Sequence, residues 1–110
     1  MESGISFIEI GSGDASTTSA FLARLFGWDF HVMGQGPEGW FQMPAIKAGM
    51  HGKDLAPSIL VFFHVADMSA AVARVKELGG EASDPVEEQG FGHFSMCRDP
   101  AGVPFGLHQI

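Results

Sequence analysis

The sequence predicts an α+β fold made of two tandem β-α-β-β-β modules, about residues 5–53 and 58–110 of one 110-residue domain. Three observations point there. Gly39-Trp40-Phe41-Gln42-Met43 is echoed 53 residues later by Gly92-His93-Phe94-Ser95-Met96. Held at that offset, Asp14 meets Asp67, Leu25 meets Leu78, Gly27 meets Gly80, and Ala48-Gly49 meets Ala101-Gly102. Each half also offers one helix and several short strands. One helix covers only one face of such a sheet, so the expected form is a curved mixed sheet. Its helices lie on the convex side and a concave trough is left for a ligand.

The elements follow in order. Ile5 to Ile10 alternates in polarity and reads as a half-buried strand. Asp14 and Ser16 can cap a helix, because their oxygens accept free amide hydrogens at its start. Ala20, Phe21, Ala23 and Leu25 supply the helical spacing, and Gly27 stops it. Trp28 to Met33 and Trp40 to Met43 read as strands around a Gly/Pro-rich turn. Pro44 to Gly49 reads as a loop and Met50 to Lys53 as a short fourth strand, with residues 53–58 as the joint.

In the second half, Ile59 to Val65 is apolar enough to lie mid-sheet. Asp67 caps a helix from Met68 to Leu78, with Val72, Val75 and Leu78 on one face and Gly79-Gly80 at its end. Glu81 to Val86 is a short strand broken by Pro85, and Glu87 to Gly90 a turn. His93 to Arg98 and Val103 to Gln109 are strands. Asp99-Pro100-Ala101-Gly102 between them is a turn: Asp bonds its own backbone, Pro fixes φ and Gly supplies positive φ.

Composition narrows the function. With 45% hydrophobic and 17% charged residues the chain is globular. The single cysteine, Cys97, excludes an internal disulfide and fits a reducing compartment. No leader-like opening and no apolar run of membrane-spanning length is present, so a cytoplasmic location is expected. A net charge of −7 disfavours nucleic acid and tolerates neutral or cationic small molecules. Tyrosine is absent, which removes a phenolic acid from the catalytic options.

The ordered set of motifs resembles the vicinal-oxygen-chelate superfamily: glyoxalase I, bleomycin-resistance proteins and extradiol dioxygenases. The likeness rests on the opening Phe7-Ile8-Glu9-Ile10, the Asp14 helix ending in Leu25-Phe26-Gly27-Trp28, and Val65-Ala66-Asp67. It continues through Leu78-Gly79-Gly80 and Arg98-Asp99-Pro100-Ala101-Gly102 before Phe105-Gly106-Leu107. It spans essentially the whole chain. Members similar to glyoxalase I bind a divalent metal through one His or Glu from each of four strands, residue types whose nitrogen and oxygen donors suit such ions. The resemblance puts those places at Phe7, Lys53, Leu60 and Gly106, none of which can act as a ligand. The usual metal-dependent isomerase and dioxygenase chemistries are therefore in doubt.

Strand parity instead sends Glu9, Phe62, His64 and His108 to the trough, and His51 shares the parity of Lys53. Trp40, Trp28, Phe7, Phe62 and Met43 or Met50 give that trough an aromatic, apolar lining suited to planar or cationic ligands. Phe7, Glu9, Trp40, His51, Leu60, Phe62, His64 and His108 are thus the expected ligand-binding residues. His93 and Cys97 lie four apart on one strand, about 13 Å, too far to form a catalytic pair.

Two readings follow. In the first, the chain is a metal-free small-molecule-binding protein, similar to bleomycin-resistance proteins, that sequesters an apolar or cationic compound. No cofactor is expected, and the resemblance implies a homodimer. In the second it is a lyase, isomerase or dioxygenase using a divalent metal at a rearranged site of Glu9, His64 and His108. Two imidazoles and one carboxylate are a workable donor set for that ion.

Overall fold

The computed structural model describes residues 3–110. Its fold is α+β, with two helices and nine strands in mixed parallel and antiparallel pairing. Contacts group the chain into two compact units. Phe7–Leu60 form one; Val61–Ile110, with residues 3–6, form the other. Among the described residues no helix is long and apolar enough to cross a membrane.

The Phe7–Leu60 unit holds most of β1 (Ile5–Gly11), then α1 (Ala15–Phe26), β2 (Asp29–Val32), β3 (Gly39–Gln42) and β4 (Lys47–His51). Its strands run in the order β2-β3-β4-β1, with β1 and β4 parallel and the others antiparallel. The Asp14 side chain accepts hydrogen bonds from the Thr17 amide (3.2 Å) and hydroxyl (2.8 Å), which starts α1. Gly27 closes the helix at φ 73°, a conformation costly for any residue with a Cβ. The core is Ile10, Ala15, Phe41, Ala48 and Met50, packed by Ile8, Leu22, Ala23, Trp28, Phe30 and Met43. It lies between α1 and one face of the sheet.

The other unit contains the end of β5 (Ser58–His64), then α2 (Met68–Glu77), β6 (Glu81–Ala82), β7 (Val86–Glu88), β8 (Gly92–Arg98) and β9 (Pro104–Gln109). β5 and β9 are parallel; β8 is antiparallel to β9, β6 and β7. Asp67 caps α2 through the Ala70 amide, and the Gln109 side chain accepts from the Met68 amide. Met68, Val72, Cys97 and Leu107 form this unit's core. The Asp99 carboxylate accepts from the Ala101 and Val103 amides, which makes the predicted turn.

Several expectations are corrected. The fourth strand is Lys47–His51, not Met50–Lys53: it alternates Ala48 and Met50 into the core, and Lys53 lies beyond it with φ 60°. The break at Pro85 falls as expected, but β7 runs on to Glu88 where a turn was expected. Phe21 and Leu25 are exposed, while Leu22 and Ala23 face the core; on α2, Leu78 is exposed as well. The apolar run of β5 buries only Phe62, leaving Ile59 exposed.

The repeat also changes register along the chain. It holds at 53 for the N-caps Asp14 and Asp67. At the helix ends the left-handed glycines are Gly27 and Gly79, not Gly80. Phe41, opposite Ala48, corresponds to Cys97, opposite Phe105, since all four point at their helix. The Trp40-Phe41 echo in His93-Phe94 is therefore out of register. Phe41 is core beneath α1, whereas Phe94 lies on the face away from α2, against Phe62 and Phe91. Extra residues between β6 and β8, around β7, cause the slip.

Candidate functional site

Each sheet has a face turned away from its helix, and the candidate residues lie on those two faces. In the Phe7–Leu60 unit, sending Ile8, Ile10, Phe41, Ala48 and Met50 to the core leaves Phe7, Glu9, Trp40, Lys47, Gly49 and His51 on the opposite side. One row across the strands reads His31, Trp40, Gly49, Glu9. The His31 ring stacks on Trp40 at 4.3 Å, and Lys47 Nζ lies 4.6 Å from the Trp40 ring centroid. An ammonium there is drawn to the negative face of the indole. Gly49 is bare because the Glu9 carboxylate lies over it; a Cβ at Gly49 would collide with Glu9 Oε1.

The same Glu9 carboxylate accepts from His51 Nδ1 at 2.7 Å, and His51 Nε2 donates to Asp54 Oδ2 at 3.1 Å. Carboxylates only accept, so this bridge is complete when both ring nitrogens carry hydrogen. The bond to Glu9 raises the His51 pKa most, against the opposing pull of desolvation, and Asp54 raises it further. The Asp54 carboxyl is held below its usual range, first by the Ala56 amide and then by His51. The bridge ties β1 to the segment after β4. Two backbone bonds, Ser12 N–H to His51 O and Asp54 N–H to Ser12 O, reinforce it. Beside it, an open cavity of about 620 Å³ lies between the start of α1, the turn at 36–38, and Gly52–Lys53. None of the eight expected ligand-binding residues lines it.

In the other unit, Phe62 lies over Gly106, where a Cβ would strike the phenyl ring. His64 pairs in register with His108, their ring centroids 6.0 Å apart. His108 is 5% exposed; its ring stacks on Phe91 at 4.3 Å, Nε2 donates to the Phe91 carbonyl at 2.8 Å, and Nδ1 meets the Ser6 hydroxyl. Phe62 and Phe94 meet edge to face beside this group. Phe62 is 4% exposed, so it is a wall packed against its own glycine more than an open surface.

The structure thus brings Glu9 to His51, and His64 to His108. It removes Trp28, Met43 and Met50 from the expected lining, since all three pack in the core with α1. It also moves one of the four family metal places. Gly106 sits opposite Phe62, five residues before the cap Asp67; the residue five before Asp14 is Glu9, which sits opposite Gly49. The second place is therefore Gly49 rather than Lys53. The side chains of Phe7, Leu60 and the two glycines, Gly49 and Gly106, carry no donor atom, so they do not fit the family's side-chain-held divalent ion. Among the described residues no group of three His, Cys, Asp or Glu side chains is arranged to hold a metal. In the alternative trio, Glu9 bonds His51 in one unit, while His108 bonds Ser6 and Phe91 in the other.

Asp54, His31, Lys47, Ser6 and Phe91 were not singled out from the sequence. His51-x-x-Asp54 and the His31–Trp40 hairpin pairing carry a local signal. The Ser6–His108 contact, spanning nearly the whole chain, carries none. Cys97 is buried, and that burial raises its thiol pKa; His93 lies 3.6 Å from Glu87 instead.

Known structures share this fold. A hypothetical protein from Bacillus halodurans C-125 superposes with a TM-score of 0.80 at 12% identity, covering 100% of this chain and 96% of its own. A methylmalonyl-CoA epimerase from Mycobacterium tuberculosis gives 0.72 at 14% identity, covering 96% and 87%. A glyoxalase/bleomycin resistance protein/dioxygenase superfamily member from Vibrio splendidus 12B01 gives 0.72 at 15% identity, covering 98% of both chains. No curated protein matches the sequence significantly. The family model of the glyoxalase-like domain matches residues 8–108, and with that span covered the chain belongs to the glyoxalase-like domain family.

Proposed function

We propose that this chain is a small-molecule-binding protein that sequesters an apolar or cationic compound without a metal. One observation carries the reading. Two of the four family ligand places are glycines overlaid by a neighbouring side chain, Glu9 on Gly49 and Phe62 on Gly106, and the other two are Phe7 and Leu60. What remains on the faces away from the helices is recognition chemistry: an indole, stacked imidazoles, phenyl rings and a carboxylate, with Phe62 and His108 largely covered by their neighbours. Lys47 over Trp40 shows that this indole face attracts a cation, and a cationic ligand would take the place of the lysine ammonium there. The likeness to methylmalonyl-CoA epimerase keeps acyl compounds among the ligands worth trying.

A thermal-shift screen of planar cationic antibiotics, thiol adducts and divalent metals tests this. A compound at about 100 times its dissociation constant stabilises the native chain by about 2.7 kcal/mol, a rise of several degrees in Tm. Trp40→Ala should abolish the rise. If every organic compound leaves Tm unchanged, the proposal is wrong. The rival is a metal-dependent lyase, isomerase or dioxygenase at Glu9, His64 and His108. Elemental analysis of protein purified without chelator decides for it if zinc, nickel, manganese or iron is stoichiometric and lost in His64→Ala.

The proposal includes a homodimer. Phe21, Leu25 and Phe26 are more than half exposed along α1, an apolar stripe of the kind that marks contact surfaces. Sedimentation equilibrium should give twice the chain mass, and Phe21→Glu with Leu25→Glu should give a folded monomer.

A further inference from the structure

Ser6 and His108 form a polar contact in otherwise aromatic surroundings, and no step of the binding function uses it. The Ser6 hydroxyl lies 2.5 Å from His108 Nδ1. The other ring nitrogen, Nε2, is 2.8 Å from the Phe91 carbonyl oxygen. A carbonyl can only accept, so Nε2 carries the hydrogen, and in the neutral ring Nδ1 presents its lone pair to the serine. Ser6 therefore donates to the imidazole. That is the arrangement through which a hydroxyl loses its proton as it attacks. The Phe91 carbonyl fixes the tautomer, and the Phe91 ring, stacked 4.3 Å away, fixes the plane of the imidazole. His108 is 5% exposed and so held away from water, whereas Ser6 is only partly buried.

We propose that Ser6 is a nucleophile activated by His108, and that the pair accepts activated acyl compounds, aryl esters in particular, against the phenyl rings of Phe62, Phe91 and Phe94. In the first step Ser6 Oγ forms a bond to the acyl carbon, and its proton passes to Nδ1. The bond from that carbon to the phenolate oxygen breaks, and the phenolate leaves with the proton from Nδ1. In the second step water adds to the acyl-serine, giving its proton to Nδ1. The ester bond to Oγ breaks, Oγ recovers the proton, and the carboxylic acid departs. Water is the only other reactant.

The test treats the full chain with p-nitrophenyl acetate, follows p-nitrophenolate release, and maps acetylated peptides. Acetyl on Ser6 is expected. Release should fall roughly 100-fold or more in Ser6→Ala, the size of a lost nucleophile–base contribution. His108→Asn should slow release to a similar degree, with far-ultraviolet circular dichroism to check the fold. Ser6→Ala removes one oxygen from a partly buried site and decides the matter even if the histidine variant misfolds. Acetyl found only on lysines, or release by Ser6→Ala at the wild-type rate, overturns the proposal. Binding seen by thermal shift with no acyl-Ser6 overturns this inference alone and leaves the binding role intact.

Discussion

His51 is the residue whose charge state matters most to its unit. It is held between Glu9 and Asp54, and its folded-state pKa is raised above 6.5. The bridge's contribution to stability is therefore full below the unfolded value and is lost as pH climbs through the raised one. Asp54 works in the other direction. Its pKa is depressed below 3.8, so its share is present above that value and lost as pH falls through the folded one. Urea unfolding of wild type and His51→Gln should show a stability difference near pH 6 that shrinks towards about pH 8. A constant difference would mean that His51 is held neutral. Gly49→Ala is the companion experiment. Its Cβ must push Glu9 aside, so the variant should lose stability and the His51 titration, read by NMR, should move back towards the ordinary value.

At the scale of elements, two N-caps and one core ring set the stability. Asp67→Ala should cost about 1 kcal/mol, and Asp14→Ala should destabilise as well, because each leaves amides at a helix start without their acceptor. Phe41 is 0% exposed at the centre of its core, and Phe41→Ala should cost about 3–5 kcal/mol by chemical denaturation. The caps were legible in the sequence because capping is local: an Asp and the amide three residues on suffice. The fourth strand was not. Its small residues Ala48 and Gly49 follow a proline, and they read as a loop until β1 and β3 pair with them on either side. The inward faces of the helices were half legible. Ala23 and Val72 point where spacing sends them, but Phe21, Leu25 and Leu78 stay outside, since hydrophobicity says nothing about which face a sheet will cover.

For the whole molecule, the order of elements and the turn and cap words were enough to identify the glyoxalase-like family, because such words survive where identity falls to 12–15%. The site was less legible. Strand parity put Glu9 and His51 on the face away from the core, where the structure has them, but their neighbours Lys47 and Asp54 depend on the true register of β4. The matching pentapeptides that suggested the duplication face opposite ways: Phe41 lies in the core beneath α1, and Phe94 lies on the face away from α2. The two glycines beneath Glu9 and Phe62 bear on ancestry. Restoring a carboxylate at Gly106 by a single codon change gains nothing while the phenyl ring fills that space, and shrinking Phe62 alone opens a hole with no donor in it. Both changes must arrive together, so no single substitution can place a liganding side chain at Gly106.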